Sequence, residues 1–151
     1  MENKNFVSHL ARNNHHTKSI LIVEDDKFIR EMMVREIKRA GYQILEAMTG
    51  ESGLEIAKTQ HVDLILLDLI LPGISGFDVM GELRKSDLTK SIPVIVLSNY
   101  VEQESTKRSK ELGAHAYLVK AQLNPSEIIE YINRFFNDPS KSVKMRTGVV
   151  Y

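Results

Sequence analysis

Ile20-Leu21-Ile22-Val23-Glu24-Asp25-Asp26 decides the fold, because an uninterrupted aliphatic run ends abruptly on three carboxylates. A run this short and this apolar reads as a strand buried on both faces, and the acids mark where it leaves the core. Phe28, Ile29, Met32, Met33, Ile37 and Ala40 then supply an apolar helix face until Gly41 stops it. The strand-helix unit recurs along the chain. Residues 42–47 read as a second strand, followed by a helix over 50–59 with Leu54, Ile56 and Ala57 inward. Residues 62–67 form the third strand, and the helix over 76–85 presents Phe77, Met80 and Leu83. Residues 92–97 are the fourth, with Pro93 tolerable near a strand start. The helix over 101–112 is polar apart from its ends, which makes it solvent-facing and the least firmly held. Residues 116–119 are the fifth strand, and Pro125 opens a helix carrying Ile128, Ile129, Ile132, Phe135 and Phe136.

Five apolar strands separated by helices imply an α/β fold, a parallel sheet covered on both faces. In such sheets functional groups gather beyond the carboxyl ends of the strands, at the point where strand order reverses. Glu24-Asp25-Asp26, Asp68, Ser98 and Lys120 each end an apolar run, so all fall at that one edge. Carboxylates from two strand ends are hard oxygen ligands suited to Mg²⁺, while a lysine and a hydroxyl suit the equatorial oxygens of a phosphoryl group. Asp68 is then the nucleophile, forming an aspartyl phosphate. Neither a Gly-x-x-x-x-Gly-Lys loop nor Gly-x-Gly-x-x-Gly is present, so nucleotide hydrolysis and dinucleotide binding lose their usual support.

At 151 residues the chain fits one domain of ordinary size. The absence of cysteine excludes a disulfide scaffold and a thiolate nucleophile. No apolar stretch approaches the roughly 20 residues that span a bilayer, and the first 19 residues lack a hydrophobic signal core, so membrane insertion is not expected and a cytoplasmic location is. Net charge is zero, without a basic stripe, and direct nucleic-acid binding is not expected. Residues 1–18 read as a flexible extension in which Phe6, Val7 and Leu10 form at most a docked turn and His15-His16 is too small a group to specify a metal. Residues 19–137 make the domain and 138–151 a short tail, too little for an output module. Any output then passes through protein contacts or through sequence beyond this chain. Arg30, Lys107, Arg108 and Lys110 read as partner-facing charges, and the phenylalanine and methionine pattern, Phe28 included, reads as core.

Taken with Asp68-Leu69-Ile70-Leu71-Pro72-Gly73-Ile74-Ser75-Gly76, Val94-Ile95-Val96-Leu97-Ser98 and Tyr117-Leu118-Val119-Lys120, the opening motif resembles the receiver domain of bacterial two-component response regulators, over roughly residues 18–137. The resemblance implies a flavodoxin-like (βα)5 sheet of strand order 2-1-3-4-5 and a phosphorelay signal-transduction role. By resemblance, Asp68 accepts a phosphoryl group from a histidine kinase or a histidine phosphotransfer protein. It also implies Mg²⁺ ligation by Asp25, Asp68 and the Ile70 backbone carbonyl, with Glu24 acting largely through bound water. Ser98 matches the hydroxyl switch, Tyr117 the aromatic switch and Lys120 the phosphate-contacting lysine. Phosphorylation would move Ser98 toward the phosphoryl group and Tyr117 inward, switching a surface for an unknown downstream protein. The domain would catalyse its own phosphorylation and dephosphorylation but turn over no external substrate, as a monomer or weak homodimer.

Several positions leave alternatives open. Asp26 is either a group behind the ligands or a helix-start residue. Asn99 stands where the family commonly has a smaller residue, and either narrows the path to Asp68 or offers the phosphodonor a hydrogen bond. Ala121 follows Lys120 where proline in a cis peptide is common, so the bond is trans or a strained cis. His115-Ala116 replaces an acidic pair used for dimerisation in the winged-helix branch. Ile70 and Tyr100 border the site and restrict hydrolytic water, implying slow self-dephosphorylation. A phosphorylation-independent interaction module of the same shape is the competing reading. A metal-dependent phosphohydrolase is a third, disfavoured because Ile70 stands where a second acid would work.

Overall fold

The computed structural model describes residues 17–100, 102–138 and 149–150. Strands β1 (Ser19–Val23), β2 (Gln43–Ala47), β3 (Leu64–Leu67), β4 (Val94–Ser98) and β5 (Ala116–Val119) alternate with helices α1 (Lys27–Arg39), α2 (Gly50–Thr59), α3 (Gly76–Lys85), α4 (Gln103–Glu111) and α5 (Pro125–Asn137). The strands run parallel in the order β2-β1-β3-β4-β5. β1, β3, β4 and β5 are buried at every position, which is why their sequences are continuous rather than alternating apolar runs.

Successive side chains feed two cores. Leu21, Val23, Ile65, Leu67, Val94 and Val96 face α2 and α3, while Ile20, Ile22, Leu64, Leu66, Ile95 and Leu97 face α1 and α5. Each such side chain contributes about 1.5–3 kcal/mol relative to exposure. Every buried side-chain nitrogen and oxygen among the described residues has a partner. No described helix is long and apolar enough to cross a membrane.

Four features depart from the sequence reading. A sixth strand, β6 (Val149–Val150), pairs antiparallel with β5 from within the expected tail, in register Ala116 to Val150. β4 starts at Val94 rather than at residue 92, since Pro93 has no N–H for the ladder and the Ile92 carbonyl is taken by Arg84 at 3.0 Å. Phe28 is 83% exposed and is not core. The buried stripe of α1 runs through Arg30, Met33, Val34 and Ile37, and Phe28 lies about 200° around the helix from Arg30. Arg30, read as partner-facing, is correspondingly buried. The expectations for Phe6, Val7, Leu10 and His15-His16 fall outside the described residues.

Candidate functional site

Main-chain pairing brings the acids together. The Asp68 N–H donates to the Val23 carbonyl at 3.1 Å and the Glu24 N–H to the Ala47 carbonyl at 3.0 Å, so the ends of β1 and β3 lie side by side where the strand order reverses. Glu24, Asp25 and Asp68 can then place ligand oxygens within 4.8 Å of one another. Glu24 is 3% and Asp68 7% exposed, while Asp25 faces solvent. Three hard oxygens at this spacing, one of them accessible, are positioned to coordinate a divalent metal such as Mg²⁺.

Lys120, just past β5, reaches into this cluster. Its ammonium donates to Asp68 Oδ2 at 2.8 Å and to Glu24 Oε2. Burial pushes the Glu24 carboxyl up from the ordinary range, against the pull of Lys120. Burial also works to lower Lys120, but its hydrogen bonds to Asp68 and Glu24 outweigh that and hold it above the usual lysine value. The lysine therefore stays charged as the internal counter-ion of the acids.

The surrounding loops are tied to the backbone of these residues. Asp26 caps α1, accepting from the Ile29 N–H at 2.9 Å while its own N–H donates to Glu24 Oε1 at 3.1 Å, which is the helix-start role. Arg30 donates to the carbonyls of Glu24 at 2.9 Å and Asp25 at 3.3 Å and pairs with Glu46 at 3.5 Å, fixing the acidic loop from below. Sequence reading missed this role. Its only signal was a cation on the same helical stripe as Met33 and Val34, one turn after the acids. Gly76 is required by contact: a Cβ there would sit 2.3 Å from the Asp68 carbonyl oxygen. Ser75 and Asp78 close a capping box that starts α3 against that loop.

On the other side, Ser98 ends β4 and shares a cleft of about 400 Å³ with the acids and Lys120. Ile70, Asn99 and Tyr100 also line it, and Ile70 is 61% exposed. Tyr117 is fully buried, its phenol donating to the Tyr100 carbonyl. Burial pushes that phenol up, opposed in part by its hydrogen bond to Ser98. The inward position expected after phosphorylation is thus already occupied. Asn99 Oδ1 accepts the Ala121 N–H at 2.8 Å, and the Lys120–Ala121 bond is trans.

A family model described as the response regulator receiver domain matches residues 20–133. The chain belongs to that family. Relatives include the phosphate regulon transcriptional regulatory protein PhoB of Pseudomonas aeruginosa, 36% identical over 87% of this chain and 53% of that protein. The polar-differentiation response regulator DivK of Brucella ovis is 31% identical over 81% of this chain and 98% of its own length. Among solved structures, a CheY-like receiver domain protein from Methanospirillum hungatei superposes with a TM-score of 0.75 at 29% identity, over 81% of this chain and 95% of that one. The chain spans about half the length of the PhoB relatives it matches. Receiver membership and the acidic cluster together support signalling by aspartate phosphorylation.

Proposed function

We propose that Asp68 is the phosphoacceptor of this receiver domain and that its donor is a phosphohistidine on a histidine kinase or histidine phosphotransfer protein. One Asp68 oxygen attacks phosphorus, a P–O bond forms, and the P–N bond breaks with its electron pair passing to the imidazole nitrogen. The observation that carries the reading is the Lys120 ammonium, 2.8 Å from Asp68 Oδ2 and also bonded to Glu24. It already supplies positive charge where phosphoryl oxygens would arrive. Mg²⁺ held by Asp25, Asp68 and the Ile70 carbonyl, with Glu24 acting largely through bound water, would add charge neutralisation for the two approaching anions.

Ser98 then offers its hydroxyl to a phosphoryl oxygen, and Tyr117, behind it, holds the β4–α4 loop through the Tyr100 carbonyl. Phosphorylation acts as a population shift, stabilising one arrangement of that loop for an unidentified protein target. Residues 19–137 form the signalling unit between the 1–18 extension and the 138–151 tail.

A constitutive interaction module is the second reading, and the already buried Tyr117 favours it. Incubation with Mg²⁺ and acetyl phosphate followed by intact mass measurement separates the two. A single phosphoryl adduct, absent in Asp68→Asn and strongly reduced in Lys120→Ala, is expected. No adduct on the unaltered protein, with a kinase supplied as well, would leave the constitutive module. Multiple turnover of a phosphate monoester, which is not a donor for the aspartyl phosphate cycle, would instead revive a phosphohydrolase, for which apolar Ile70 offers no acid or base.

A further inference from the structure

The ends of β4 and β5 are joined by one side chain. Asn99, directly after Ser98, accepts the Ala121 N–H at 2.8 Å across 22 positions of sequence. That N–H belongs to the peptide leaving Lys120, so holding it fixes the plane from which the Lys120 side chain departs. Lys120–Gln122 is a single 3₁₀ turn without a side-chain cap of its own, and at its end the Leu123 N–H reaches the Lys120 carbonyl at a long 3.4 Å. Asn99 therefore provides a short backbone tether, from another strand end, on the turn that delivers the ammonium to Asp68 and Glu24. The pairing depends on both partners, since a proline at 121 would have no N–H to give.

We propose that Asn99 is a positioning residue: its side-chain carbonyl clamps the Ala121 N–H and thereby sets the Lys120 ammonium over Asp68. The inference rests on Asp68 being the phosphoacceptor for its kinetic consequence, but not for its geometric one. Asn99 also lines the acidic cleft, so a gate that merely obstructs the donor is the competing role. The two roles predict opposite signs. Loss of a clamp slows phosphorylation, whereas loss of a gate speeds it.

A double-mutant cycle with Asn99→Ala and Ala121→Pro tests this, using acetyl phosphate and Mg²⁺. Asn99→Ala is expected to slow adduct formation about three- to tenfold, the range for one hydrogen bond of ordinary strength. In the Ala121→Pro background the same change is expected to have no further effect. A rate increase, or an equal decrease in both backgrounds, overturns the clamp. A second measurement does not need phosphorylation or the proline variant. Side-chain NMR relaxation of Lys120 Cε should show greater fast motion in Asn99→Ala than in the unaltered protein. Unchanged Lys120 order overturns the proposal even if rates fall. Failure of the unaltered protein to take up phosphoryl while Lys120 loosens as expected would break the phosphoacceptor reading and leave the clamp standing.

Discussion

Helices α5 and α4 flank the same strand, β5, and are held by opposite means. α5 begins on an Asn124–Glu127 capping box with Pro125 in its first turn, and buries Ile128, Tyr131, Ile132 and Phe135. Its grip on the core is tight enough that burial pushes the Tyr131 phenol up to about 12. α4 has no side-chain cap at Glu102 and buries only Ser105 and Ser109, the latter spending its hydroxyl on the Ser105 carbonyl at 2.7 Å. Polar contacts hold it in place. Arg108 lies over the Phe77 ring at 4.3 Å, and Arg84 takes the Leu112 and Gly113 carbonyls at its end. Stability is unevenly distributed in such a domain, and the loosely anchored element can be displaced at low cost. Here it is the helix beside Ser98, Tyr100 and Tyr117, where a phosphorylation signal would have to leave the site.

The sharpest challenge to this contrast is truncation in each helix. Ile132→Ala should destabilise by about 2–5 kcal/mol through the cavity it leaves, against ~0.5 kcal/mol or less for Lys107→Ala on the surface of α4. Urea midpoints measure both, and equal shifts would break the comparison. Arg84→Met comes next. It strips charged donors from the carbonyls of Lys90, Ile92, Leu112 and Gly113 and should cost about 1.5–3 kcal/mol. Amide exchange should accelerate in α4 while α5 stays protected, and uniform acceleration would show that Arg84 supports the whole fold instead.

At the mouth of the cleft, Ile70→Asn combined with Tyr100→Glu should hasten loss of the phosphoryl group on the order of tenfold, a barrier change of about 1.4 kcal/mol. The apolar and phenolic walls poorly orient water, and polar replacements can place it. Intact mass decay would read the rate, and equal or slower loss would reject slow hydrolysis as a property of these walls. The smallest effect belongs to His115, packed edge-on at 4.7 Å against Phe135 of α5. Burial holds its pKa below the ordinary value of about 6.5. The unfolded chain therefore takes up the proton first as pH falls. This contribution to stability is full above about pH 6.5 and declines below it toward the depressed folded pKa. His115→Gln should flatten that part of the urea-midpoint profile, and an unaltered slope would place the titration elsewhere.

The acidic site was legible because Glu24, Asp68 and Lys120 each follow directly on an apolar run, with Asp25 next to Glu24. In a parallel sheet the end of a run is a place in space as well as in sequence. Helix existence was legible from periodicity. Periodicity gives the angle of a residue around its helix but not whether a neighbour stands opposite, so Phe28 was misplaced into the core and Arg30 onto the surface. The Tyr117 rotamer depends on a carbonyl supplied by Tyr100, and β6 on a strand edge left open by β5. Asn99 and Ala121 show the division most plainly. As residues they were two departures of undetermined effect, and only the folding of β4 beside β5 makes them a donor and acceptor 2.8 Å apart. Local chemistry is carried by the residues themselves, whereas a pairing across 22 positions exists only once the sheet has brought its strand ends together.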